Sequence, residues 1–185
     1  MRHGAPETPG LLLGRTDALA THAGIANCLA RAQGVSFGAV ISSDLQRCER
    51  PASAIAAAGG GGHQTDSRWR ELDFGAWDGL APDAVDSGAL AAFHADPDAN
   101  PPPAGERWSA LVARVGAALD QLAPADTLVV THGGAIRAAL SSLFGFGQGQ
   151  LWAFHLPYAC VVSIRIWPES QVGTRAGAQI VGLQA

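Results

Sequence analysis

The chain has no apolar run approaching the roughly 18 to 20 residues that a membrane span requires, and its start lacks the charged-then-apolar pattern of a secretory signal. A cytoplasmic protein without a membrane partner is therefore expected. Cysteine is scarce: Cys28, Cys48 and Cys160 form an odd set with no C-x-x-C spacing, which fits small, reduced, buried side chains better than a disulfide frame. No stretch concentrates basic residues, and the net charge is −4 with a pI near 5.8, which excludes a general nucleic-acid or membrane-surface binder. There is no HExxH and no Cys/His cluster, and His22, His63, His94 and His155 lack the close spacing of ligands, so neither a metal nor a cofactor is expected. Nothing repeats at a fixed period. What remains is 185 residues, 48% of them hydrophobic, enough for one core and too few for two ordinary domains, so residues 1–185 are read as a single domain.

The pattern along the chain alternates strands with helices. Thr21 to Gln33 reads as a helix stopped by Gly34, and Ala39-Val40-Ile41 as a strand. Ser42-Ser43-Asp44 supplies N-cap residue types for a helix from Leu45 to Ala58, and Gly59 to Gly62 follows as a flexible connection. Trp108 to Leu122 repeats the helical spacing and leads into the strand Leu128-Val129-Val130, with a helix at Ala135 to Leu140 beyond. Cys160 to Trp167 alternates as a sheet strand does, and Gln179 to Leu183 suits a short edge strand. Between Pro82 and Pro103 lies a proline-rich excursion around a short helix at Ala89 to His94, the kind of loop that covers an active site. These elements predict an α/β fold: a three-layer α/β/α sandwich with a mostly parallel central sheet.

Two tripeptides carry the functional signal: Arg2-His3-Gly4, and Thr131-His132-Gly133 followed by Gly134. His132 falls at the carboxyl end of a strand, the edge where open α/β sheets bind ligands. Glycine behind it lets the backbone come close to a ligand and frees amide N–H groups at a helix start, so an anion is the expected guest.

Five segments resemble, in order, the motif series of the histidine phosphatase superfamily, also called phosphoglycerate mutase-like: Arg2-His3-Gly4, Gly14-Arg15-Thr16-Asp17, Ser42 to Arg47, Glu71 to Gly79, and Thr131 to Gly134. The resemblance implies hydrolysis of a small phosphorylated metabolite. A phosphate monoester carries close to two negative charges, and a site for it must gather positive charge and supply a nucleophile. Arg2 and Arg47 offer guanidinium donors, His132 another, and Gly133 a backbone amide. The resemblance assigns His3 as nucleophile and Glu71 as general acid, while Arg15 and Thr16 match a segment that faces substrate. It also makes Trp77 a wall of the site. Asp73 and Asp78 read as solvated loop carboxylates, Glu106 as a first-turn helix residue and Arg137 as a helix-surface residue.

Two features depart from the family pattern. An apolar strand ordinarily precedes Arg-His-Gly, and here only Met1 does, so the first strand is expected to be truncated and His3 to sit on a frayed end. A start placed too far downstream accounts for this better than decay of the site, because Arg2, His3, Arg47, Glu71 and His132 are all retained. The asparagine usual a few residues after the motif is also missing, with Ala5-Pro6-Glu7-Thr8-Pro9 in its place. The compact length suits the phosphatase branch, and the Arg15 and Glu71 segments are most similar to members acting on nucleotide-like esters. Sugar-phosphate or broad-specificity hydrolysis, a mutase and a non-catalytic phosphate-binding scaffold are the alternatives.

Overall fold

The computed structural model describes residues 1–167 and 177–185. Helix α1 (His22–Ala32) starts at Thr21, whose hydroxyl accepts from the Gly24 N–H. Strand β1 (Ala39–Ser42) leads into α2 (Gln46–Gly59), then β2 (His63–Thr65), α3 (Ser87–Ala95) and α4 (Trp108–Leu119). Strand β3 (Thr127–Val130), α5 (Gly133–Phe144), α6 (Gln148–Trp152), β4 (Val161–Ile166) and β5 (Ala178–Gln184) complete the order.

Strand β1 is central to a parallel set in the order β2-β1-β3, with Val40 opposite both His63 and Leu128. Alternation sends its side chains to opposite faces. Val40, Leu128 and Val130 pack with Cys28, Cys48 and Ile55 under α1 and α2, whereas Ile41 and Val129 meet Leu111, Val115 and Ala138 under α4 and α5. Helices on both faces give the three layers expected from the alternating pattern. Strands β4 and β5 pair antiparallel, and a third cluster of Leu140, Leu151, Leu156 and Cys160 joins them to α5 and α6.

Residues Met1–His3 lie between β3 and β4 and take the place of a strand. Arg2 forms a single parallel bridge with Thr131. The Thr131 N–H donates to the Met1 carbonyl, the His3 N–H to the Thr131 carbonyl and the Arg2 N–H to the Cys160 carbonyl. The first strand is thus reduced to one bridge, as expected. His3 is not frayed, however: backbone bonds hold it on both sides, the second from the Ala159 N–H to its own carbonyl.

Other corrections are local. The Ser42–Asp44 segment does not provide the side-chain cap of α2; Leu45 is the N-cap residue, and Ser43 accepts from the Leu45 N–H just before it. Strand β2 and helix α6 have no counterpart in the sequence pattern. Trp77 is buried in the core edge-on to Phe93, 5.7 Å between ring centroids, rather than walling the site.

Candidate active site

His132 lies two residues past the end of β3 and is the N-cap residue of α5, so its ring sits where the sheet edge meets a helix start. His3 comes to it from the neighbouring segment, with 5.2 Å between ring centroids. The two motifs at opposite ends of the chain therefore meet. The glycine after His3 is required by space: a Cβ on Gly4 would lie 2.1 Å from the Gly24 carbonyl oxygen in the first turn of α1.

Hydrogen bonds set both tautomers. His3 Nδ1 lies 2.7 Å from the Gly4 carbonyl, an acceptor only, so Nδ1 carries the proton and Nε2 presents a lone pair. Arg47 Nε donates to His132 Nδ1 at 3.2 Å, which puts the His132 proton on Nε2, 3.3 Å from the Cys48 sulfur. Burial pushes the His3 pKa down to about 3, with the Arg47 charge adding to the effect, and burial followed by Arg47 holds His132 well below its ordinary range. Both rings are neutral at pH 7.

That burial has a consequence for stability. Below the ordinary histidine value of 6.5 the unfolded chain takes up protons at these rings and the folded chain does not, so stability falls as pH drops from about 6.5 towards 3 and is unaffected by them above 6.5. Urea midpoints measured between pH 7 and 4.5 are expected to decline, and less steeply in His3→Ala. An equal slope in wild type and variant would contradict the neutral, buried state.

Arg47 is fully buried, and its other donors go to backbone: Nη1 to the Thr16 carbonyl at 2.7 Å, Nη2 to the carbonyls of Leu13 and Gly14 at 2.8 and 3.0 Å. Asp78 completes the loop by accepting from the N–H groups of Gly14, Arg15 and Thr16, which corrects its reading as a solvated carboxylate. Arg15 pairs with Asp73 at 3.2 Å and approaches Glu106, and the Thr16 side is exposed. Asp73, also read as solvated, further accepts from the Gly75 N–H.

Glu71 stands apart from the arginines beside it in sequence, since Arg68 pairs with Asp66 and Arg70 with Asp44. Its carboxylate accepts from the Gly134 N–H at 3.0 Å and the Leu72 N–H at 2.9 Å. The backbone around it is clamped by Arg114, which donates to the carbonyls of Arg68, Arg70 and Glu71 and is itself held by Glu106 at 2.7 Å. Glu106 therefore positions the Glu71 segment through Arg114; it precedes the N-cap Arg107 of α4 and is not a first-turn residue.

Arg2 places its guanidinium 4.2 Å from the centre of the Tyr158 ring and donates to the Leu156 carbonyl, while its buried Nε has no partner. Tyr158 in turn lies 5.5 Å from His3, projected there by Ala159 in a left-handed conformation, φ 60°. A cavity of about 200 Å³ opens beside these groups, lined at one end by Arg2, Glu71, Gly133, Gly134 and Arg137. Phe93, His94 and Pro97 of the proline-rich excursion are among its lining residues. Arg137 is half-buried rather than a free helix-surface residue: it stacks on Trp152 at 4.6 Å. Its position, one helical turn after Gly133, was the available signal. Tyr158 had none. Among the described residues no group of three His, Cys, Asp or Glu side chains could hold a metal ion, and no helix is long and apolar enough to cross a membrane.

A buried histidine pair at the carboxyl edge of a parallel sheet, next to a cavity lined by the guanidinium groups of Arg2 and Arg137 and the carboxylate of Glu71, defines a class of phosphate-handling site. The chain belongs to the histidine phosphatase superfamily, branch 1, whose family model matches residues 1–178. Solved structures similar to it include the alpha-ribazole phosphatase of Shigella flexneri, 23% identical with a TM-score of 0.82 over 100% of this chain and 94% of that one. A mycobacterial glucosyl-3-phosphoglycerate phosphatase is 22% identical with a TM-score of 0.83 over 97% and 94% of the two chains. A Thermus thermophilus protein is 28% identical with a TM-score of 0.74 over 100% and 96%. At these identities the two phosphatases speak to fold alone. Comparison with curated protein sequences gives no match.

Proposed function

We propose that this chain is a single-domain phosphomonoesterase working through a phosphohistidine, without a metal, with alpha-ribazole 5'-phosphate as the leading substrate. The observation that carries the reading is His3: its Nδ1 proton is committed to the Gly4 carbonyl, so the lone pair on Nε2 is available beside His132 and the Arg2 guanidinium. Nε2 attacks phosphorus, the bond from phosphorus to the ester oxygen breaks, and Glu71 delivers a proton to the departing oxygen. Water then attacks the phosphohistidine, Glu71 takes its proton, and inorganic phosphate leaves with His3 restored. Arg2, Arg47, His132 and the Gly133 amide stabilise the charge on the transferring group; the Arg47 and His132 donors would turn from their present protein partners to do so. Arg15 and Thr16 are assigned to the substrate side by the motif they share with the family. A cytoplasmic setting is supported by three free, buried cysteines.

The test is phosphate release from a panel containing alpha-ribazole 5'-phosphate, glucose 6-phosphate and 3-phosphoglycerate, the last with and without a bisphosphorylated primer. Hydrolysis without primer, highest for alpha-ribazole 5'-phosphate, is expected. Primer-dependent isomerisation would indicate a mutase, and negligible turnover of every ester would overturn the reading.

A further inference from the structure

On the phosphatase reading above, the cavity beside Glu71 receives the alcohol part of the ester, and its walls specify what that alcohol is. Away from the phosphate end the lining is apolar and aromatic, from Leu12, Phe93, Trp108 and Leu111. The mouth is Trp152, about half exposed, its ring met edge-on by His94 at 5.7 Å between centroids. Flat surfaces of this kind favour a planar ring and offer sugar hydroxyls few partners.

A second, independent observation adds polarity at one point. Gln148 begins α6 and lines this cavity, and its Nε2 is buried with no hydrogen-bond partner. Buried donors are almost always satisfied, so an unmet amide facing a cavity points to an acceptor supplied by a ligand. The other unpartnered donor in the lining, Arg2 Nε, sits at the opposite end, 3.6 Å from where a Gly133 Cβ would stand, and belongs with the phosphoryl group. Arg137 does not ask for a second anion. Its guanidinium stacks on Trp152, and its donors face the carbonyls of Leu151, Gly133 and Phe154 at 3.3 to 3.4 Å.

We infer that the preferred substrate is a phosphate ester whose alcohol carries a planar, mainly apolar ring with a hydrogen-bond acceptor, the ring seated between Trp152 and Phe93 and the acceptor on Gln148 Nε2. Trp152 and Gln148 are thus specificity-determining residues of the site. The ring wall and the lone donor set selectivity separately, since one reads shape and the other reads a single acceptor.

The experiment compares kcat/KM for three esters of primary alcohols, chosen so that the departing oxygen is alike: 2-(pyridin-2-yl)ethyl phosphate, 2-phenylethyl phosphate and glucose 6-phosphate. The order expected is pyridyl above phenyl above sugar, with about tenfold or more between neighbours. Trp152→Ala is expected to shrink the preference of both ring esters over the sugar, and Gln148→Leu to abolish the pyridyl-over-phenyl preference alone, by about tenfold. Equal kcat/KM for all three esters in the wild type would overturn this inference and leave the phosphatase reading standing. So would ratios that neither substitution moves. Failure to hydrolyse any of them while alpha-ribazole 5'-phosphate is turned over would overturn this inference alone, and failure on that ester as well would overturn both.

Discussion

His3→Ala is expected to lower kcat by at least about 10⁴-fold and to leave no labelled protein after rapid quenching with a radiolabelled ester. The imidazole lies 5.2 Å from the partner histidine's ring while its Nδ1 is pinned to a carbonyl, which leaves Nε2 as the nitrogen with the lone pair. Alanine keeps everything that positions the segment, because the bonds from His3 to Thr131 and from Ala159 to His3 are made by backbone. The variant should therefore fold, and it should still bind inorganic phosphate through Arg2 and the Gly133 amide. Acid-labile label recovered on the wild type and absent from the variant is the outcome that fits. A variant that turns over normally would remove the phosphohistidine from the scheme. A wild type that binds phosphate but neither hydrolyses an ester nor acquires label would make this fold a scaffold.

How much of this was visible in the residues alone depends on whether a feature is local. His132 could be placed because the apolar run Leu128 to Val130 marks a strand and Gly133-Gly134 marks its exit, both readable within a few residues. Helices α1 and α4 followed from apolar spacing and α2 and α5 from the residue types after a strand, and each forms near its expected bounds. Strand β2 did not, since His63, Gln64 and Thr65 have no apolar alternation; they form a strand because β1 offers an open edge. Helix α6 lies among Gly145, Gly147 and Gly149, poor helix formers, and exists because Leu151 is buried against Leu140 and Leu156. The same limit applies to the site. Asp78 holds three amides more than 60 residues away, and Arg114 grips carbonyls more than 40 residues away, so neither role leaves a mark in nearby sequence. The charge of Arg47 suggests a donor to phosphate, yet here its guanidinium satisfies three carbonyls and a histidine. A buried guanidinium must meet its nearest acceptors first.

Gly134→Ala is expected to reduce kcat/KM by about 100-fold or more while leaving thermal stability equal to or above that of the wild type. From the residues, glycine here suggested close approach of the backbone to a ligand. In the structure Gly134 is the second residue of α5 and needs no unusual dihedral; it needs room. A Cβ at this position would stand 2.0 Å from Glu71 Oε1 and 3.0 Å from its carboxyl carbon, so the carboxylate must swing out of the place from which it reaches the ester oxygen. Alanine meanwhile improves the helix by about 0.5 to 1 kcal/mol, which opposes any loss from the displaced side chain. Gly133→Ala is a built-in contrast: its Cβ would meet Arg137 Nη1 at 3.4 Å and Arg2 Nε at 3.6 Å, contacts that flexible guanidinium groups relieve by small shifts. Its effect should be within about tenfold. The coupling is testable directly, because Glu71→Asp shortens the acid by one methylene and restores space. In the double variant the two losses should combine to less than their product, which is the signature of two residues competing for the same volume. Full activity in Gly134→Ala would mean that proton delivery does not depend on Glu71 occupying this position, and the assignment of the general acid would have to move elsewhere in the cavity.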